Sequence, residues 1–473
     1  MLSRLIINEV YKTGRQFKCY VSSKGTGKLL LRAIILVLML LFNGFPNLPV
    51  AHPYETKPYN YSNENLHIHK NIISKLDENN NLCIESLKPE TCNSFKKIET
   101  NLNGFALIGI DSLSSLKNKS NTYGRALVSL DVNTISNGGI EYGSIIEVVV
   151  DKRPVVDFKQ ETTPSCINLG VDCLNENSLT GLNNGHESQF YYNRNDKNNK
   201  LQTSLETASF YLSSPYGEFF IGADMGAAHL FSISSIDLYD PRASSIAIDY
   251  TGLNSIRTTN NVTGKAKKII YTSPRLLGDS IGAGFEFGVS YAPNSIACGI
   301  EYCEKKTRDS SVKRDSPDLK DIIELGVAID RNFKNRVMFE AAMSYAYANN
   351  INMASSFDNL KTWNISSQIT YNNFTFNSSY LRSNNGLKGG NYRARHGGAL
   401  WENGRLGVSL SSGSSLDENI NRKTSHSSVG ISYKFNDYIL STGLQRAKRR
   451  QLTFNGPHTN KSIKLFIQGG YKF

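Results

Sequence analysis

The last twelve residues, Ser462–Phe473, read SIKLFIQGGYKF, and their pattern restricts what this chain can become. In an extended strand Ile463, Leu465, Ile467, Gly469, Tyr471 and Phe473 share one face, while Ser462, Lys464, Phe466, Gln468, Gly470 and Lys472 share the other. One face is apolar and ends in aromatics; the other carries lysines and an amide. A strand half-buried in a soluble sheet alternates in the same way. Repetition separates the two readings, because similar segments of about ten residues, divided by turn residues, run back to residue 105. Apolar outside and polar inside, repeated so often, is the pattern of a transmembrane β-barrel.

The chain in order supports that reading. Alternation begins near residue 103, and Ala126, Val128, Leu130 and Val132 oppose Arg125, Ser129 and Asp131. Asn137-Gly138-Gly139 then makes a tight turn into Ile140, Tyr142, Ile146, Val148 and Val150, opposed by Glu141, Gly143 and Glu147. The rhythm of strand, tight turn, strand and longer polar loop repeats. It gives strands at 201–214 and 218–224, 267–274 and 284–292, 322–330 and 336–347, 363–371 and 374–380, 395–401 and 405–411, and 429–435 and 438–445. Longer loops fall at 151–202, 225–265, 293–319 and 447–461. The expectation is an all-β, transmembrane antiparallel β-barrel of about 16 strands, with seven tight turns and eight longer loops. An even count and closure leave no unpaired edge in lipid.

Composition agrees. Only 39% of the 473 residues are hydrophobic and mean hydropathy is −0.34, which excludes membrane-spanning helices in the mature chain but suits strands with alternate residues apolar. The net charge of +12 is concentrated at the start, where the first 51 residues hold seven Lys/Arg and one acid, leaving 46 bases against 40 acids. That mixture, without a basic stripe interleaved with aromatics, argues against nucleic acid. Lys24, Lys28 and Arg32 precede the apolar run Ala33–Phe42, too short for a transmembrane helix and the right length for the core of an export signal. The expected organisation is a signal peptide over 1–51 cleaved after Ala51, an irregular extension over 52–100, and a barrel over 101–473. A later start or a retained anchor also fits the long leader, and the extension has room to enter the lumen as a plug.

Of the seven cysteines, Cys83 and Cys92, Cys166 and Cys173, and Cys298 and Cys303 fall in expected loops as three close pairs. Local disulfides suit them in an oxidising compartment, and free thiols fit equally well. Their spacing lacks a Cys-x-x-Cys pair, and His67 and His69 read as solvated loop residues, so no metal is assigned. No nucleophile elbow or nucleotide-binding loop is present. His229, Asp224 and Asp237 cluster in sequence, but nothing fixes a nucleophile or a base. The reading is no enzyme, no catalytic residues and no cofactor.

Three stretches carry a family resemblance. YTSPRLLGDSIGAGFEFGVSYAP (271–293) resembles a hairpin of general bacterial outer-membrane porins, of the Gram-negative α-proteobacterial type. SSPYGEFFIGADMGAAHLF (213–231) is similar to the strand leading into their inward-folded third loop, and GGIEYGSIIE (138–147) to an early hairpin. The resemblance implies a trimeric, water-filled pore in the bacterial outer membrane, passing ions and small hydrophilic solutes passively. It also implies outer-membrane lipid and the barrel-assembly machinery as partners, with Phe473 as the assembly signal. It makes 225–265 the constriction loop, carrying Asp237, Asp240, Arg242, Asp249 and Arg257. Strand parity nominates Arg125, Lys268, Arg336, Arg405, Lys434 and Lys464 as basic wall residues, and Glu141, Glu147, Glu286, Glu324 and Glu340 as acidic ones. Both signs are present, so parity leaves ion preference open. The rival reading is a barrel plugged by its loops and used as a surface antigen or adhesin.

Overall fold

The computed structural model describes residues 98–113, 121–136, 139–152, 185–187, 202–234, 236, 249–251, 253, 256–276, 283–295, 317–333, 336–351, 356–419, 421–453 and 456–473. The leader, residues 52–97 of the expected extension and all six cysteines of the expected pairs lie outside them, and the first strand begins two residues earlier than expected. Sixteen strands follow one another: β1 (Glu99–Leu113), β2 (Asn121–Ile135), β3 (Glu141–Lys152), β4 (Gln202–Ser214), β5 (Gly217–Ala223), β6 (Lys267–Thr272), β7 (Ala283–Asn294) and β8 (Leu319–Phe333). The second half comprises β9 (Val337–Asn350), β10 (Leu360–Tyr371), β11 (Phe374–Ser383), β12 (Tyr392–Asn403), β13 (Leu406–Asp417), β14 (Arg422–Phe435), β15 (Tyr438–Thr453) and β16 (Gly456–Lys472). Each pairs antiparallel with its neighbour in sequence, and β1 pairs with β16 to close the barrel.

The period of two places the side chains as the sequence implies. Along β8, Ile323, Leu325, Val327 and Ile329 are exposed on the outer face, while Ile322 and Glu324 are fully buried on the inner one. The same holds for Phe374 and Phe376 on β11 and for Ile463, Leu465 and Ile467 on β16. An apolar exterior costs nothing where the surrounding solvent is hydrocarbon. At the tight-turn end the rings gather into a girdle, with Phe435 5.3 Å from Tyr438 and Tyr438 4.8 Å from Tyr471.

The tight turns use residues that tolerate positive φ: Asn372 (φ 49°), Asn436 (φ 50°) and Gly404 (φ 57°). At the seam, the Gly104 N–H donates to the Phe473 carbonyl at 2.9 Å and the Phe473 N–H returns the bond at 3.0 Å. A Cβ on Gly104 would meet the Phe473 ring at 2.5 Å, so glycine there makes room for the terminal aromatic.

Several strands outrun the sequence pattern. The loop expected at 447–461 is largely strand, with Arg446–Thr453 paired to Gly456–Ile463, and β13 and β14 extend to a short link at 418–421. Most outward residues of these extensions are polar or charged, among them Ser412, Ser414, Lys423, Ser425, Arg446, Lys448 and Arg450, so the hydrophobic alternation that marks a strand is broken although the backbone ladder continues.

Candidate functional site

The chain leaves the sheet after β5 and returns at β6, and the described parts of this connection dock on the inner wall. It begins with one helical turn, α1 (Ala227–Leu230), whose Ala227 and Ala228 are fully buried. The root is organised by Glu324 of β8. Its Oε1 accepts from the Thr263 N–H at 3.2 Å and the Thr263 hydroxyl at 2.7 Å, and its Oε2 accepts from Ser290 at 2.9 Å. Ser290 in turn receives the Ala227 N–H at 3.0 Å. A buried carboxylate surrounded by donors is stable there, and removing it would leave several donors unmade.

A second group holds the returning end. Lys268 of β6 donates to the Asp224 and Gly264 carbonyls, and Lys265 donates to Thr207 at 3.0 Å and lies 3.8 Å from Asp224. His229 sits nearby in α1. Burial first, then the positive charges of Lys265, Lys268 and Arg257, push it down to about 3, so the ring is neutral near pH 7. Next in the chain, Phe231 fills a socket made by two inward glycines that face each other across strands, Gly288 and Gly326. A Cβ at either would come within 2.4–2.5 Å of the Phe231 side chain.

Small polar side chains then take up the loop backbone. Ser366 receives the Ile233 N–H at 3.0 Å, and Asn377 donates to the Ser234 carbonyl. Asn364 and Ser379 both donate to the Thr258 carbonyl, Asn260 donates to the Thr362 carbonyl at 3.2 Å, and the Tyr392 hydroxyl receives the Arg257 N–H at 2.8 Å. Across the lumen, Tyr250 is fully buried, stacked on Phe466 at 4.2 Å and tilted against Tyr123 at 5.0 Å. Its N–H donates to Gln445 at 3.0 Å and its hydroxyl to Gln468 at 2.7 Å, and Tyr123 donates to the same Gln468 oxygen at 3.0 Å. One segment thus touches walls as far apart as β2 and β10.

The predicted site residues divide into groups. Asp249 and Arg257 lie in this loop and are buried. Asp249 accepts from the Thr251 N–H and hydroxyl, and Arg257 lies 3.5 Å from Glu187, a residue of the β3–β4 connection. The adjacent His186 N–H and the Glu187 N–H both donate to Asn385, so these described residues of the connection are held against the link after β11. Asp237, Asp240 and Arg242 lie outside the described residues.

On the wall, Arg125, Glu141, Lys268, Glu324 and Lys464 are buried on the inner face, with Glu147, Glu286 and Glu340 on the same face and partly exposed. Glu141 accepts from Tyr211 at 3.0 Å, Glu147 from Thr207 at 2.5 Å and Glu340 from Gln368 at 3.4 Å. Lys434 pairs with Glu402 at 2.7 Å near the tight-turn end. Arg336 and Arg405 are corrected: both are exposed turn residues, because parity counted through a tight turn no longer reports a wall position. Sequence reasoning missed Phe231, Tyr250, Gln445, Gln468 and Asn364. The available signal was a pair of inward glycines on adjacent strands.

A family described as Gram-negative porin matches residues 175–451. No curated protein matches the chain. Among solved structures, a porin refined at 1.8 Å resolution is 12% identical, with 79% of this chain and 100% of that one covered and a TM-score of 0.48. The anion-selective porin of Comamonas acidovorans is 12% identical over 80% of this chain and 100% of its own, at a TM-score of 0.47. OmpT of Vibrio cholerae, in its trimer form, is 8% identical over 80% and 99%, at 0.47.

Proposed function

The chain belongs to the Gram-negative porin family and is an outer-membrane channel protein, and from that premise we propose how it passes solutes. Ions and small hydrophilic molecules diffuse through the barrel down their own gradients, and the segment between Asp224 and Ala266 sets the narrowest section. The observation that supports this reading is the docking of the segment's described residues on the inner wall, Thr263 on Glu324 and Tyr250 on Gln468. In this proposal Asp237, Asp240 and Arg242 of the same stretch of sequence, with Arg125 and Lys464 of the wall, supply charge of both signs to the constriction. Charge there biases which ions enter without any energy source.

In the same proposal, residues 1–51 direct export, residues 52–100 precede the barrel, and the cysteine pairs close local loops. The molecule works as a homotrimer inserted by the assembly machinery that reads Phe473.

The test is conductance of the refolded chain in a planar bilayer under a salt gradient. Stepwise current in threes is the expected result, with a reversal potential that shifts when Asp237→Asn and Asp240→Asn are combined. A folded, heat-modifiable barrel without conductance overturns the diffusion pathway.

A further inference from the structure

Two histidines flank one glycine on the inner wall. His396 lies on β12 and His426 on β14, and strand register places both directly opposite Gly413 of β13. They belong to the inward set of alternate residues, with Ala394 and Leu400 on β12 and Thr424 and Ser428 on β14, all buried. Two strand spacings, about 10 Å, separate the histidine backbones, and the residue between them has no side chain to fill the interval. The His396 ring leans into it: a Cβ on Gly413 would come within 3.0 Å of the His396 Cδ2. Ile256 of the docked segment borders the same gap, 3.3 Å from such a Cβ.

Both rings are poorly satisfied. His426 is 4% exposed and its Nε2 is buried without a hydrogen-bond partner, and the His396 Nδ1 is likewise buried and unpartnered. Buried polar atoms left unpaired cost stability and are few in folded proteins. A half-turn of the His396 ring keeps its shape, and either orientation presents one nitrogen, Nε2 or Nδ1, on the Gly413 side. The two rings are near enough for a charge on one to be felt by the other.

Two imidazoles aimed across a shared gap suit a transition metal. Neutral imidazole nitrogen is a favoured ligand of zinc, copper and nickel, and two zinc–nitrogen bonds of about 2 Å each join rings that do not touch. Asp249 of the docked segment is near enough to His426 to act on its charge, and Gln445 is a hydrogen-bonding neighbour of that ring. A carboxylate there favours a cation, and an amide steadies the ligating ring. Among the described residues no third His, Cys, Asp or Glu completes a three-ligand cluster, so water fills the remaining positions and the ion exchanges readily.

We propose that His396 and His426 together bind a divalent transition-metal ion of the zinc type across Gly413. The bound ion ties β12 to β14 and adds two positive charges to the wall beside Asp249. Magnesium and calcium, which take oxygen ligands, do not fit this donor set.

The experiment titrates zinc chloride into the refolded full chain in detergent and follows the midpoint for heat-modifiability. Micromolar zinc is expected to raise the midpoint of wild type, EDTA to reverse the rise, and magnesium at the same concentration to leave it unchanged. His396→Gln and His426→Gln should each raise the zinc requirement by about tenfold or more. The pair His67→Gln, His69→Gln, which lies before the first strand in sequence, should titrate as wild type. If neither wall variant folds, zinc-edge X-ray absorption of the His67→Gln, His69→Gln chain is read instead, with scattering from two imidazoles expected and one or none overturning the proposal.

No midpoint change in wild type overturns the proposal. A rise that survives both wall substitutions assigns the ion to another site and overturns it too, as does an equal response to magnesium, which assigns carboxylate ligands. A chain that gains stability from zinc but carries no current fails as a channel while this inference stands.

Discussion

The two ends of the docked loop are held by different chemistry. The root near Glu324 is a network of a buried carboxylate, hydroxyls and backbone N–H groups, with lysines beside it. The far arm near Tyr250 is a stack of rings finished by two glutamines. A charged network is strong only while complete, since losing one member strands the others without partners. An aromatic stack loses stability in proportion to what is removed. The root therefore behaves as an all-or-none anchor and the far arm as a graded one.

Breaking the root is expected to have the largest effect. Glu324→Ala removes a fully buried acceptor of three hydrogen bonds and should cost about 3–5 kcal/mol. It should appear as a lowered midpoint for heat-modifiability and as noisy, enlarged single-channel current. Tyr250→Ala should cost about 3 kcal/mol from lost ring burial. Because it leaves the sheet intact, current noise should rise with less change in the unfolding midpoint; equal shifts in both would erase the distinction between the arms.

Acid should loosen the root next. Docked, His229 takes a proton only near pH 3, whereas a released loop takes it up near the ordinary value of 6.5. Docking is thus strongest above about pH 6.5 and weakens as pH falls, by about 2 kcal/mol between pH 6.5 and 5. Current noise recorded across that range should rise in wild type and stay flat in His229→Gln. The smallest effect belongs to Tyr250→Phe, which keeps the stack and loses the bond to Gln468, for about 1 kcal/mol.

Much of the barrel is written in the period of two. Wherever the outer face is greasy, as in Ile323–Ile329 or Ile463–Ile467, strand, face and neighbour follow from the residues alone. Legibility fails where the exterior stops being apolar. Arg446–Thr453 reads as loop because its outward residues are cations, although its hydrogen-bond ladder to β16 is unbroken. It fails again at Arg336 and Arg405, where a turn interrupts the count.

The inner face poses a different problem. Ser366, Asn364 and Asn377 look alike whether they face water or receive a backbone, and nothing local to β10 or β11 says that a segment some hundred residues earlier in the chain will arrive. That arrival is a tertiary fact. The paired glycines Gly288 and Gly326 were its one local sign, since an inward position without a side chain on two adjoining strands leaves space for something large.

A closed sheet one layer thick, squeezed from the side by a crowded bilayer, yields by flattening from a circle toward an ellipse. The docked loop opposes that deformation, because it is fastened to β2 through Tyr123 and to β10 through Thr362, strands on opposite sides of the ring. It acts as an internal tie-rod. Cutting it to widen the passage would also soften the cross-section, so throughput and stiffness are traded through the same few residues.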